Sequence, residues 1–284
     1  MTKRMSVATG LALAVVLWAT PVWAQQRPLV TEDPEVIGAG RLLLEAGLDY
    51  GKEAEFPASG LTGNLLRAPL VGVSVGLSSI AELQIDAGFR NHLAISGRVD
   101  APLSGVLDVE GDTTSAVDDV VLATKIRIVG ESGGRPAIGV RFATKLPNAS
   151  NESGLGLDTT DFIASLLVGK TIERIRVVGN VGLGILGNPV RGDAQNDVLV
   201  YGLSLARAFT DQAEFVGEVN GRLHTASTDP APGTESRGQF RFGARYTVGP
   251  GRVDGAVLVG LTPRDPSIGF AVGYTHVFNA FRLP

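Results

Sequence analysis

The chain has 284 residues, a net charge of −4, 37 glycines and no cysteine. A net acidic chain offers nucleic acid no electrostatic footprint, and without cysteine a secreted domain of this size must find its stability elsewhere than in disulfides. The three histidines, His92, His224 and His276, lack metal-ligand spacing, so no metal and no cofactor is expected.

The first 24 residues read as a cleaved secretory signal. Lys3 and Arg4 form a basic head, Leu11 to Leu17 an apolar run too short to span a bilayer, and Val22-Trp23-Ala24 a small-residue cut before Gln25. No cysteine follows the cut, which excludes a lipid-anchored lipoprotein. Residues 25–37, with Glu32 and Asp33, are an N-terminal segment able to tuck inward as a lumen plug, and 38–284 form one β domain.

From there alternation of period two recurs, the mark of strands. Leu42, Leu44, Leu48 and Tyr50 oppose Arg41, Glu45 and Asp49, and Leu83, Ile85, Ala87 and Phe89 oppose Glu82, Gln84, Asp86 and Arg90. Leu122, Ile126 and Ile128 oppose Asp119, Lys125 and Arg127; Ile138, Val140 and Phe142 oppose Arg141 and Lys145. Ile175, Val177, Val181 and Leu183 oppose Arg174, Arg176 and Asn180, and Leu199, Tyr201, Leu203 and Leu205 face away from Gly202, Ser204 and Ala206. Ala213, Phe215, Val219 and Leu223 oppose Glu214, Glu218, Asn220 and Arg222. Gly238, Phe240, Phe242, Ala244 and Tyr246 oppose Arg237, Gln239, Arg241 and Arg245. Strands are predicted at 40–50, 66–77, 81–91, 117–129, 136–146, 160–170, 173–186, 196–209, 212–224, 236–247, 251–261 and 267–278, about twelve in all.

The predicted connections alternate. Long ones fall near 51–65, 92–116, 147–159, 187–195, 225–235 and 262–266, short ones near 78–80, 130–135, 171–172, 210–211 and 248–250. Within 92–116 a strand continuation, a hairpin above the membrane and a loop folded inward all fit. Long outer loops and tight periplasmic turns belong to an outer-membrane barrel with an even strand number. A soluble sandwich also alternates, but these apolar faces run nine to eleven residues, a bilayer crossing for a tilted strand, where soluble strands average about five or six. Phe209, Tyr246 and Phe278 sit at predicted periplasmic ends and Tyr50 and Phe162 at outer ends, as interface aromatics do. The expected fold is an all-β, transmembrane, antiparallel up-and-down barrel of about twelve strands in the outer membrane of a Gram-negative bacterium.

Particular stretches carry a resemblance. Pro28-Leu29-Val30-Thr31-Glu32-Asp33-Pro34 leads through Gly38 and Gly40 into Leu44-Glu45-Ala46-Gly47-Leu48-Asp49-Tyr50. Strand–turn–strand units follow at Val73-Ser74-Val75-Gly76-Leu77 to Glu82-Leu83 and at Tyr201-Gly202-Leu203-Ser204 to Thr210-Asp211-Gln212. Over most of the mature chain this resembles the outer-membrane, transporter-type family named for the meta-pathway of phenol degradation. The resemblance implies a twelve-strand-type barrel passing small, aromatic-type solutes. Such barrels end on an aromatic residue; here Phe278 or Phe281 fills that role, with Pro284 last.

Other motifs dissolve on inspection. Gly182-Leu183-Gly184-Ile185-Leu186-Gly187 has dinucleotide-type spacing, but Asn188-Pro189 follows and no helix opens there. The acidic run Asp108, Glu110, Asp112, Asp118 and Asp119 lacks the EF-hand glycine position and reads as a solvated loop. Asn148-Ala149-Ser150 and Asn151-Glu152-Ser153 match glycosylation acceptors that a bacterial exterior does not use. No outward serine stands beside His276 as a barrel phospholipase needs, so no enzyme is expected.

The charged faces carry the functional reading. Glu45, Asp49, Glu82, Asp86, Lys125, Arg127, Arg141, Lys145, Arg174, Arg176, Glu214, Glu218, Arg222, Arg237, Arg241 and Arg245 are expected to line the lumen, paired or hydrated. Two functions fit: a passive channel or transporter-like barrel whose basic excess favours small aromatic or anionic solutes, and a structural or adhesive barrel with a closed, salt-bridged lumen. Expected partners are outer-membrane lipid, lipopolysaccharide and the barrel-assembly machinery, with no nucleic acid.

Overall fold

The computed structural model describes residues 27–281. The predicted signal over 1–24 lies outside the described residues. Fourteen strands run β1 (Arg41–Phe56), β2 (Leu61–Gly76), β3 (Ala81–Gly88), β4 (Asn91–Arg98), β5 (Thr113–Ala116), β6 (Val121–Val129), β7 (Ala137–Lys145), β8 (Asp161–Ile172), β9 (Ile175–Gly187), β10 (Gln195–Ala208), β11 (Ala213–His224), β12 (Arg237–Val248), β13 (Gly251–Gly260) and β14 (Ile268–Asn279). Each pairs antiparallel with its neighbours, and β1 pairs with both β14 (Leu48↔Val272) and β2 (Ala46↔Val71), so the sheet closes.

The ring has twelve staves. β3 and β4 both lie on β2 (Leu70↔Gly88, Arg67↔Asn91), and β6 and β5 lie on β3 and β4 in one continuous register (Asp86↔Val121, Asn91↔Ala116). Each pair is therefore one stave interrupted near mid-height. Pro69 lies opposite the interruption and has no N–H to give the ladder. Phe89 N donates to the Pro69 carbonyl (3.0 Å) and Asp118 N to the Gly88 carbonyl (2.8 Å), so the wall stays stitched there.

Two predicted connections are corrected. Residues 51–65 are not a long loop: β1 runs to Phe56, β2 starts at Leu61, and only 57–60 turn. Gly51-Lys52-Glu53 and Gly63-Asn64 put no apolar residue on the outer face, so the alternation fades while the ladder continues, with register shifts after Gly47 and Gly51. Within 92–116 the strands continue over 92–98 and 113–116, so the loop shrinks to 99–112, with a short 3₁₀ turn at Ser104–Val106. The outer connections interlock: Asp108 N donates to Glu152 O (2.9 Å), Thr114 Oγ1 to Ser153 O (2.8 Å) and Ser59 Oγ to Gly154 O (2.7 Å).

Burial is inverted relative to a water-soluble sandwich. Leu183 is 66% exposed and Leu203 55%, whereas Lys125 is 0% and Glu218 2%. Apolar side chains face out around the ring and ions face in, which only a lipid exterior makes favourable. Aromatic rings gather on the outside: Tyr50 stacks on Phe270, Phe215 meets Phe209 and Phe242, and Tyr274, His276 and Phe278 adjoin near the short-turn end. What apolar core exists is a small cluster of Ile37, Leu43 and Val277 at that same end.

Candidate functional site: a divided lumen

Residues 27–40 enter the barrel before β1 and pass along its inner wall. Arg27 lies against β1, β13 and β14: its guanidinium reaches Asp49 (3.5 Å), Asp254 (3.8 Å) and the Val272 carbonyl (2.9 Å). Its carbonyl accepts from Arg245 (2.8 Å) and Arg252 (3.1 Å), and that of Pro28 from Arg241 (3.0 Å). On β11, Glu218 accepts from the backbone N–H of Val30 and of Thr31, both at 2.8 Å. Asn180 on β9 forms a reciprocal pair with the Glu32 backbone, at 2.7 and 2.8 Å. Asp33 takes two bonds from Arg176 (2.7 and 2.8 Å), a fork-to-carboxylate geometry. Glu35 pairs with Arg127 on β6, and Ile37 N donates to Glu82 on β3 (2.8 Å). The segment thus touches the wall most of the way round before joining β1.

Small wall residues make that path. A Cβ on Gly76 would lie 1.8 Å from the Gly38 carbonyl oxygen, and one on Gly273 would lie 2.3 Å from Arg27 Nε. A side chain at Gly76 and the segment's backbone cannot occupy the same space, and one at Gly273 would displace the Arg27 side chain.

Most of the sixteen predicted lining residues meet here. Lys125, fully buried, bridges Glu82 (3.0 Å) and Glu32 (3.2 Å), and Arg141 reaches Glu32 (3.0 Å) and, more distantly, Asp86 (3.9 Å). Burying these ions is tolerable because each has an opposite charge in contact. Glu45 accepts from Thr275 Oγ1 (3.0 Å), Asp49 also pairs with Arg67 (3.1 Å), and Glu214 pairs with Arg245 (3.1 Å). Lys145 bridges Asp119 and Asp161 toward the long-loop end, both at 3.1 Å. Arg222 and Arg237 face inward on β11 and β12 and bond to carbonyls of the outer loops and, for Arg237, of Glu55 at the end of β1. Arg174 sits exposed in the tight turn between β8 and β9, where the strand ends at Ile172 with Glu173 at φ +55°, and it lines the mouth of the cavity at the short-turn end.

Several inner residues escaped the sequence reading. Arg67 was masked by the fading alternation of β2. Arg252 and Asp254 show a readable signal, since they alternate with the outward Val253, Val257 and Val259. Asp161 and an apolar inner patch, Ile163, Leu167, Leu186, Val198 and Val200, lie on β8 to β10. That patch was invisible because those strands carry apolar residues on both faces.

Below the segment a cavity of about 390 Å³ opens at the short-turn end, lined by Leu29, Thr31, Asp33, Arg176, Ser204 and Arg252. Toward the long-loop end are two adjoining cavities of about 550 and 490 Å³, which share Val30, Arg67, Arg141, Ile163, Val200 and Arg222. Residues 29–32 contribute to both sides, so the lumen is divided at the segment. On the outer face of the wall, just beyond the interruption of the staves, His92 Nδ1 lies 2.8 Å from Ser115 Oγ. Among the described residues no group of three or more His, Cys, Asp or Glu side chains is placed to hold a metal ion.

A closed ring of antiparallel strands, apolar outside and ionic inside, with long loops at one end and tight turns at the other, defines a transmembrane β-barrel of the outer-membrane class. The chain belongs to the family described as "Putative MetA-pathway of phenol degradation", whose model matches residues 25–275. Among solved structures it is similar to the COG4313 outer membrane channel from Pseudomonas putida F1, with a TM-score of 0.62 at 15% identity, covering 87% of this chain and 98% of that one. The toluene transporter TodX of Pseudomonas putida is more distant, at a TM-score of 0.40 and 12% identity, covering 86% and 90%. The translocator domain of the autotransporter NalP from Neisseria meningitidis gives 0.49 and 15%, covering 85% and 89%. No curated protein matches the sequence.

Proposed function

We propose that the protein is a passive outer-membrane channel for small solutes, held closed by residues 25–37 acting as a plug. The observation that carries this reading is the division of a continuous polar lumen by a segment held along most of its course through hydrogen bonds and ion pairs, with an apolar anchor only where Ile37 meets Leu43 and Val277 next to β1. Such contacts exchange with water as the segment moves, whereas a packed core would not. The solved channel similar in fold supports the same reading. In this reading no reaction is catalysed; lipid surrounds the wall, lipopolysaccharide the outer rim, and the assembly machinery inserts the chain.

A structural barrel with a permanently closed lumen is the second reading, favoured by the number of ion pairs between segment and wall. Liposome swelling separates the two. Vesicles carrying the mature protein should swell in isosmotic solutions of small sugars or amino acids when residues 27–37 are deleted, and more slowly or not at all when they are present. Absence of swelling in both would favour the structural barrel.

A further inference from the structure

The outer cavity of about 490 Å³ is not charge-balanced. Five arginines line it, Arg67, Arg141, Arg222, Arg237 and Arg241, against two carboxylates, Glu32 and Asp265. Three of the five are bridged: Arg67 to Asp49 (3.1 Å), Arg141 to Glu32 (3.0 Å) and Arg241 to Glu218 (3.6 Å). Arg222 and Arg237 are not. Among the described residues neither has a carboxylate oxygen within 4.0 Å. Both are instead held by carbonyls: Arg222 by Glu235 O (2.9 Å) and Gly233 O (2.6 Å), Arg237 by Arg264 O (2.5 Å) and Glu55 O (2.9 Å).

These two are direct cross-strand partners, Arg222↔Arg237. Like charges directly opposite one another destabilise a sheet, and half-desolvated guanidiniums add to that cost. Each guanidinium has five N–H donors, so two carbonyl bonds leave donors over, on residues already fixed in place. A preformed pair of this kind suits the two oxygens of a carboxylate. The wall of the same cavity carries Ile163, Leu167 and Val200, which cannot serve an ion but can cover an apolar body. A charged head and an apolar body are thus provided for within one cavity of small-molecule size.

We infer that Arg222 and Arg237, with the apolar wall of β8 and β10, form a binding site for small amphipathic monocarboxylates in the outer half of the lumen. As a stage on a permeation path the site rests on the channel reading above; as a binding site it does not, and the two fail separately. Isothermal titration of the detergent-solubilised mature protein tests it, with benzoate as probe and benzyl alcohol and benzylamine as neutral and cationic comparisons. Benzoate should bind about tenfold or more tightly than either, as a charge-assisted contact requires, and more weakly as salt is raised. The doubly substituted R222Q/R237Q should lose that preference, while R191Q, in an exposed loop, should keep it. Equal binding of the three probes by the unsubstituted protein, no binding of any, or unchanged benzoate binding by R222Q/R237Q would overturn the inference. The three-probe comparison needs no variant, so misfolding of R222Q/R237Q does not shield it. Swelling without benzoate preference leaves the channel and removes the site; benzoate preference without swelling does the reverse.

Discussion

Lys125 shows what a single buried ion demands. Its ammonium is fully buried and is held by Glu82 and Glu32, one from the wall and one from the segment. Lys125→Met leaves buried Glu82 without its cation and Glu32 with Arg141 alone, and removing one partner of such a set costs about 3–5 kcal/mol. The urea midpoint of the folded barrel in detergent should fall accordingly; an unchanged midpoint would mean that water already reaches the site. Glu131, in the turn after β6, acts on the rim. Partial burial opposes its ionisation, but the Thr171 N–H, Lys170 and Arg176 outweigh it and hold its carboxyl below the ordinary range. A depressed carboxylate stabilises the fold above its unfolded-state pKa and loses that contribution as pH falls through the folded value. The wild type should therefore exceed Glu131→Gln by about 1 kcal/mol at neutral pH, with the difference shrinking below the ordinary carboxylate range; a difference constant with pH would contradict it.

At the level of strands, alternation reports which face meets lipid. It was legible in β3, β6, β11 and β12, where large apolar residues oppose ions one for one. It failed in β1 and β2 beyond Tyr50, because strand ends above the bilayer need no apolar face and only the ladder defines them. At Arg174 parity alone spoke: the residue lies in the turn past the last paired residue, at the mouth of the cavity there. The inner apolar patch of β8 to β10 went unread for the opposite reason: Ile163 and Val200 sit among outward Phe162, Leu199 and Tyr201, so both faces look alike. The absence of cysteine makes the alternation testable. In bilayers, a membrane-impermeant maleimide should label Gln239→Cys readily and Phe240→Cys at least several-fold more slowly, since neighbouring residues of a strand face opposite sides. Equal labelling would place this strand elsewhere than in a barrel wall.

For the whole molecule, ring closure was readable from strand number and loop alternation, since an even count puts both termini and all tight turns at one end. The division of the lumen was readable only as chemistry: Glu32 and Asp33 lie ahead of a basic interior. Which arginine each would meet depends on the segment's course past Gly76, Gly202 and Gly273, and that course is set by tertiary packing among residues distant in sequence. The charge pattern that remains once the segment is seated leaves Arg222 and Arg237 facing the outer cavity, which is why closure and solute binding are separable properties here.

Single-channel conductance in planar bilayers, for the mature protein and for the same chain lacking residues 27–37, tests the divided lumen most directly. The shortened chain should give discrete openings about severalfold larger than any seen with the intact one, as expected when a lumen of this strand number is cleared. Equal conductance of the two would show that residues 27–37 do not bar the path.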